Sequence, residues 1–261
     1  MKRIHYAIIV AFSAIAILAA YAIQPSQDPP AATPTTPSHR SENELVATFA
    51  QEHQLSLSEW PDKLIDLLEK NPETAEYVLY YPLRKDKSFP INLQAYINCD
   101  RVPLLLQWDE RWGYTKYGNE MMGISGCGPT CLSMVCLYLL DDPMYSPRYI
   151  ADFAVKNGYC VPGNGSSWTL ISKGGVTLGL DVTELPLDKN RIIRNLEVGN
   201  PIICIMGPGD FTTTGHFIVM TGYADGKIII NDPNSPNRSK TLWDYEDIKD
   251  QIRNLWACRV K

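Results

Sequence analysis

The stretch that decides the fold is Gly126-Cys127-Gly128-Pro129-Thr130, running on into Cys131-Leu132-Ser133-Met134-Val135-Cys136-Leu137-Tyr138-Leu139-Leu140. From Pro129 to Leu140 it is apolar nearly all round, and a helix of that kind is buried on every side. It is therefore expected to be the central helix of a domain. A proline is tolerated in the first turn, where its missing N–H is not needed, so Cys127 falls at or beside the N-cap. Unpaired N–H groups and the positive end of the helix dipole favour an anion there and depress a thiol pKa. A tight turn that merely holds a cysteine is the alternative, because Gly-Cys-Gly is also good turn chemistry.

Downstream, Ser146-Pro147 has the capping chemistry of a helix start, and that helix should end near Asn157-Gly158. Further helices are expected from Ser167 to Leu178 and from Asp188 to Val198, the latter stopped by Gly199. Three strand-like runs follow: Ile202 to Met206, His216 to Tyr223 and Lys227 to Asn231. Ala224-Asp225-Gly226 reads as a hairpin turn joining the last two. Asp244 to Ile252 looks helical, and Leu255 to Val260 makes a closing strand. Helices first and an antiparallel sheet last predict an α+β domain over residues 100–261.

Upstream, residues 42–99 form a helical prelude, with patterns from Glu42 to His53, Ser58 to Lys70 and Pro72 to about Tyr80 or Tyr81. We expect it to pack on the main domain; a lid or substrate-presenting element is the other option. Residues 24–41 are rich in Pro, Thr, Ser and Ala and read as an extended spacer. Residues 1–23 carry Lys2, Arg3 and His5 ahead of an apolar run from Tyr6 to Ile23. The run is long for a signal-peptide core and near the lower limit of a spanning helix, while Ala20-Tyr21-Ala22 offers a cleavage signal. An uncleaved anchor is favoured and a removed signal peptide stays open; either way the remainder is expected to be exported.

The chain has 261 residues, 45% of them hydrophobic and 20% charged, with a net charge of -5. That charge gives no electrostatic reason to expect nucleic acid as partner. A P-loop, a dinucleotide fingerprint and a His-Glu-x-x-His helix are all missing, which removes nucleotide and zinc-protease readings. Seven cysteines, an odd number, leave at least one thiol unpaired. Most sit in apolar runs and read as small buried hydrophobes; Cys127, flanked by glycines, does not.

A reactive cysteine needs a base. The four histidines are His5, His39, His53 and His216, so His216, heading a strand, is the one candidate beyond the prelude. Asp232 lies at a strand end before Pro233, where a third residue can orient an imidazole. Asn231 is the rival orienter, since strand alternation turns only one of the two inward. Gln107 can supply an amide N–H to an oxyanion. Asp109, Arg111 and Trp112 read as a structural network around the loop leading to Cys127.

Taken together, Gln107-Trp108-Asp109-Glu110-Arg111-Trp112, Gly126-Cys127-Gly128-Pro129-Thr130, Gly215-His216-Phe217-Ile218-Val219 and Asn231-Asp232-Pro233 resemble the exported relatives of bacteriocin-processing, double-glycine-leader peptidases. These are papain-like cysteine peptidases. The resemblance covers roughly Arg101 to Val260 and implies a papain-like fold with a central buried helix packed on an antiparallel sheet. It implies Cys127 as nucleophile, His216 as general base and acid, Asp232 as orienter and Gln107 as oxyanion donor. No metal or organic cofactor is implied. The expected partner is a peptide or protein substrate, cell-wall peptide included, with the membrane as a second partner if the N-terminal helix is uncleaved. A monomer is expected. The rivals are a cell-wall peptide hydrolase or acyl transferase using the same triad, and a non-catalytic surface binding module. The transporter and ATPase parts of the bacteriocin exporters have no counterpart here, so double-glycine cleavage is not carried over.

Overall fold

The middle strands explain the architecture, because every residue from Ile202 to Met206 is buried. A strand buried on both faces needs a layer on each side. The computed structural model describes residues 42–261, so the expectations for 1–23 and 24–41 lie outside the described residues. The main sheet has strands β1 (Leu180–Glu184), β2 (Ile202–Met206), β3 (His216–Ala224), β4 (Lys227–Asn231), β5 (Leu242–Trp243) and β6 (Ile252–Val260). Their spatial order is β1-β6-β2-β3-β4-β5, and every pairing is antiparallel. Helices are α1 (Glu42–Glu52), α2 (Asp62–Lys70), α3 (Ala75–Leu79), α4 (Cys127–Leu140), α5 (Pro147–Lys156), α6 (Lys189–Glu197) and α7 (Pro236–Lys240); shorter turns are named by residue.

Alternation sorts the strand residues between two cores. Ile203, Ile205, Phe217 and Val219 join the core around α4, with Leu132, Met134, Val135 and Leu137 from the helix. Ile202, Cys204, Met206, Ile218 and Met220 face the opposite core, which Ile192 and Leu196 of α6 close. This is the expected α+β arrangement, a buried helix on an antiparallel sheet. Asp225 and Gly226 both take positive φ, +53° and +78°, the backbone of a two-residue hairpin turn.

A third core belongs to the N-terminal segment. Val46, Phe49, Trp60, Leu64, Leu68 and Val78 cluster there, and Trp108, Tyr114, Met121 and Ile124 pack against them. The Asp109–Arg111 network is present: Arg111 donates through Nε at 2.9 Å and Nη2 at 2.7 Å to the two carboxylate oxygens.

Several element boundaries differ from expectation. The Ser58 start gives way to α2 beginning at Asp62, because Trp60 turns inward and its Nε1 donates to Val78 O at 2.8 Å. The Ser167–Leu178 helix begins late, with π geometry over Leu170–Gly174 before Gly175–Thr177. The expected Asp244–Ile252 helix is two short turns, Tyr245–Ile248 and Lys249–Gln251, and Ile252 already belongs to β6. Strands β1 and β5 were not anticipated. Both are short edge strands, whose half-exposed residues carry little periodicity.

Candidate active site

Helix α4 begins two residues before its apolar run, with Gly126 as N-cap and Cys127 as first helical residue. What permits this close seating is the glycine that follows. A Cβ on Gly128 would stand 2.5 Å from Ser166 Oγ, and that hydroxyl is hydrogen-bonded to Tyr117 Oη at 2.6 Å. The half-buried Cys127 thus sits at the positive end of a fourteen-residue helix.

Strand β3 brings His216 to it. The thiol and the imidazole are close enough for each to shift the other's ionisation. Nε2 of His216 donates to Oδ1 of Asp232 at 2.7 Å, which leaves Nδ1 as the ring nitrogen for the sulfur. Asp232 is fully buried and His216 is 7% exposed. Burial opposes charge on the imidazole, but the Asp232 carboxylate and the Cys127 sulfur outweigh it, and His216 is pushed up to about 10. Burial likewise opposes the thiolate. The His216 hydrogen bond and charge, with the N–H groups of Phe217 and Gly128, win, so Cys127 lies below the ordinary thiol value. Burial pushes Cys131, Cys136, Cys160 and Cys204 the other way, and Cys258 up to about 12.

Asn231 turns away from this centre: its Nδ2 donates to Val102 O at 3.0 Å. Gln107 is 3% exposed, and its Nε2 donates to Gly123 O at 2.9 Å and Ile124 O at 3.3 Å. Both amide hydrogens are thereby committed to the chain just ahead of Cys127. The structure does not present Gln107 to the sulfur as a free donor. Its backbone N–H donates to Pro233 O at 2.8 Å, so it ties the cysteine loop to the aspartate loop.

One participant was missed from sequence. Arg238 of α7 donates through Nε to Oδ2 of Asp232 at 2.5 Å, and Asn234 N–H donates to Oδ1 at 2.8 Å. Burial would raise the Asp232 carboxyl, but His216 and Arg238 hold it below the usual carboxylate range. A signal existed: Ser235-Pro236 repeats the Ser-Pro start of α5, and Ser235 caps α7 as Ser146 caps α5. Reading Asn-Asp-Pro-Asn-Ser-Pro as turn composition hid that short helix. Among the described residues, no group of three or more His, Cys, Asp or Glu could hold a metal ion.

The family model described as Peptidase_C39 like family matches residues 99–260. The chain belongs to the Peptidase_C39 like family. That membership supports a cysteine peptidase of papain-like α+β fold and implies a peptide or protein substrate. Among solved structures, this C39-like chain is similar to the peptidase domain of Streptococcus ComA, a bifunctional ABC transporter involved in a quorum sensing pathway. That likeness has 19% identity and a TM-score of 0.42, covering 52% of this chain and 93% of the other. It is also similar to a C39-like peptidase from Bacillus anthracis, with 14% identity, a TM-score of 0.40, and 61% and 96% coverage. A search of curated proteins finds no match.

Proposed function

We propose that the chain is a cysteine peptidase that hydrolyses peptide bonds with Cys127 as nucleophile, His216 as base and acid, and Asp232 as orienter. The observation that carries this reading is the junction of a half-buried thiol at a helix N-terminus with a His216–Asp232 pair bonded at 2.7 Å. Sγ of Cys127 adds to the carbonyl carbon as a thiolate, and the oxygen takes the negative charge. His216, cationic at that moment, gives its Nδ1 proton to the amide nitrogen as the C–N bond breaks and the amine leaves. A thioester remains. Water then gives a proton to His216, its oxygen adds to the thioester carbon, and the carboxylic acid departs as the thiolate is restored. Backbone N–H groups at the start of α4 support the oxyanion role better than Gln107, whose donors are engaged.

The basic-then-apolar order of residues 1–23 supports export, with that segment as anchor or as removed signal. Among the described residues, no helix is long and apolar enough to cross a membrane.

The test is iodoacetamide labelling of each cysteine against pH, with peptide-library cleavage alongside. Cys127 should be labelled well below the ordinary thiol pKa of about 8.5, and labelling in that range should vanish in His216→Ala. Cleavage should disappear in Cys127→Ala. Cleavage that persists without Cys127, or a Cys127 that labels like an ordinary thiol, would sink the proposal.

A further inference from the structure

Residues 42–98 lie outside the stretch that the family model matches, yet they grip the loop that carries Asp232. Asn71, 6% exposed, follows α2, and its Nδ2 donates to Asn234 O at 2.6 Å. Its own Oδ1 accepts the Glu73 N–H at 3.2 Å, which locks the two residues together. Glu73 then reaches across with both oxygens. Oε1 accepts the Asn237 N–H at 2.9 Å, and Oε2 accepts the Ser235 hydroxyl.

From Ser235 the bonds run inward without a break. Ser235 Oγ accepts the Arg238 N–H at 3.0 Å, which caps α7. Arg238 Nε donates to Asp232 Oδ2 at 2.5 Å, while Asn234 N–H and His216 Nε2 share Oδ1. Both carboxylate oxygens are therefore fixed by residues of one short loop and by the base they serve. Displacing that loop displaces the carboxylate, and misplacement by about 1 Å can cost on the order of a hundredfold in rate.

We propose that Asn71 and Glu73 are positioning residues of the active site, so that the N-terminal helical segment sets where Asp232 stands against His216. They act through Asp232 and do not touch the reacting atoms. The proposal rests on the Cys127–His216–Asp232 reading above and extends it to a part of the chain outside the family match. A clamp that served only to stabilise the fold would raise the melting temperature and leave the reactivity of Cys127 alone.

The experiment uses the full chain, with iodoacetamide as probe and mass spectrometry to read each cysteine across pH. Wild type is compared with Glu73→Ala, Glu73→Gln and Asn71→Ala, each with its melting temperature. Glu73→Ala should slow Cys127 labelling at pH 6 by about tenfold, equivalent to a rise of roughly one pH unit in its midpoint. Labelling of Cys99 and Cys160 should stay at the wild-type rate. Glu73→Gln keeps an oxygen for the Asn237 N–H and an N–H for Ser235, and should restore the profile. Should Glu73→Ala not fold, Asn71→Ala carries the same expectation. A folded clamp variant that melts lower but labels Cys127 with the wild-type pH profile overturns the proposal. A wild-type Cys127 that labels as an ordinary thiol locates the failure in the functional reading instead, and both then fall.

Discussion

A cationic imidazole at 7% exposure is costly, and His216 is kept in that form by what its two nitrogens meet. One faces the Cys127 sulfur; the other is bonded to a carboxylate that is itself charge-paired. Arg238, with His216, makes the buried Asp232 tolerable as an anion. A depressed carboxylate contributes stability that is present above its ordinary pKa of about 3.9 and is lost as pH falls toward the folded value. Arg238→Met removes one source of that depression. Its Asp232 should protonate at higher pH, and stability at neutral pH should drop by about 2 kcal/mol, the scale of a hydrogen bond to a charged group. Urea melts from pH 3 to 7 check this; identical curves for variant and wild type would deny Arg238 the role. Residue type and position alone singled out Cys127 and His216 as candidates. Gln107 was not legible in its orientation, since a buried amide goes wherever carbonyls need donors.

Helix α4 carries Cys127, the proposed nucleophile, and its seating depends on a contact with no sequence pattern. The ribbon strands Cys160–Val161 and Gly165–Ser166 place Ser166 against Gly128. Gly128→Ala puts a methyl into that hydroxyl, and Ser166 is already held by Tyr117. The helix start must shift, at a cost of about 1–3 kcal/mol as for other overpacked sites. Thermal melts should show the loss, and Cys127 should lose its low-pH labelling at the same time. A variant with unchanged melting and labelling would mean that the ribbon yields freely. Long elements with sustained apolar runs, such as α4, β2 and β3, were readable. Short ones were lost, among them α7, where five residues are too few for a period to show.

Across the whole molecule, the third core joins the N-terminal segment to the rest. Trp60 is 3% exposed, donates to Val78 O, and shares its cluster with Trp108, Tyr114 and Met121. Trp60→Ala should cost about 3–5 kcal/mol, the range for large aromatic truncations in cores. Because that core is shared, tryptophan fluorescence and far-UV circular dichroism should still unfold together, at a lower temperature. Two separated transitions would show instead that residues 42–99 melt as an independent unit.

Sequence alone was enough for a buried helix followed by the antiparallel run of β2, β3 and β4, because continuous apolar runs must be buried on both faces. It was enough, too, to single out a helix-start cysteine and the one histidine beyond the prelude as candidates, since residue type and local position suggest reactivity. It missed Arg238 on Asp232 because the five-residue helix that carries it shows no period, and it did not reveal Asn71 and Glu73 on the loop around it because those bonds join residues as far as 164 positions apart. No local period or motif encodes such a distance. Only the packing of α2 and its following turn beside the 232–238 loop brings donors and acceptors within reach.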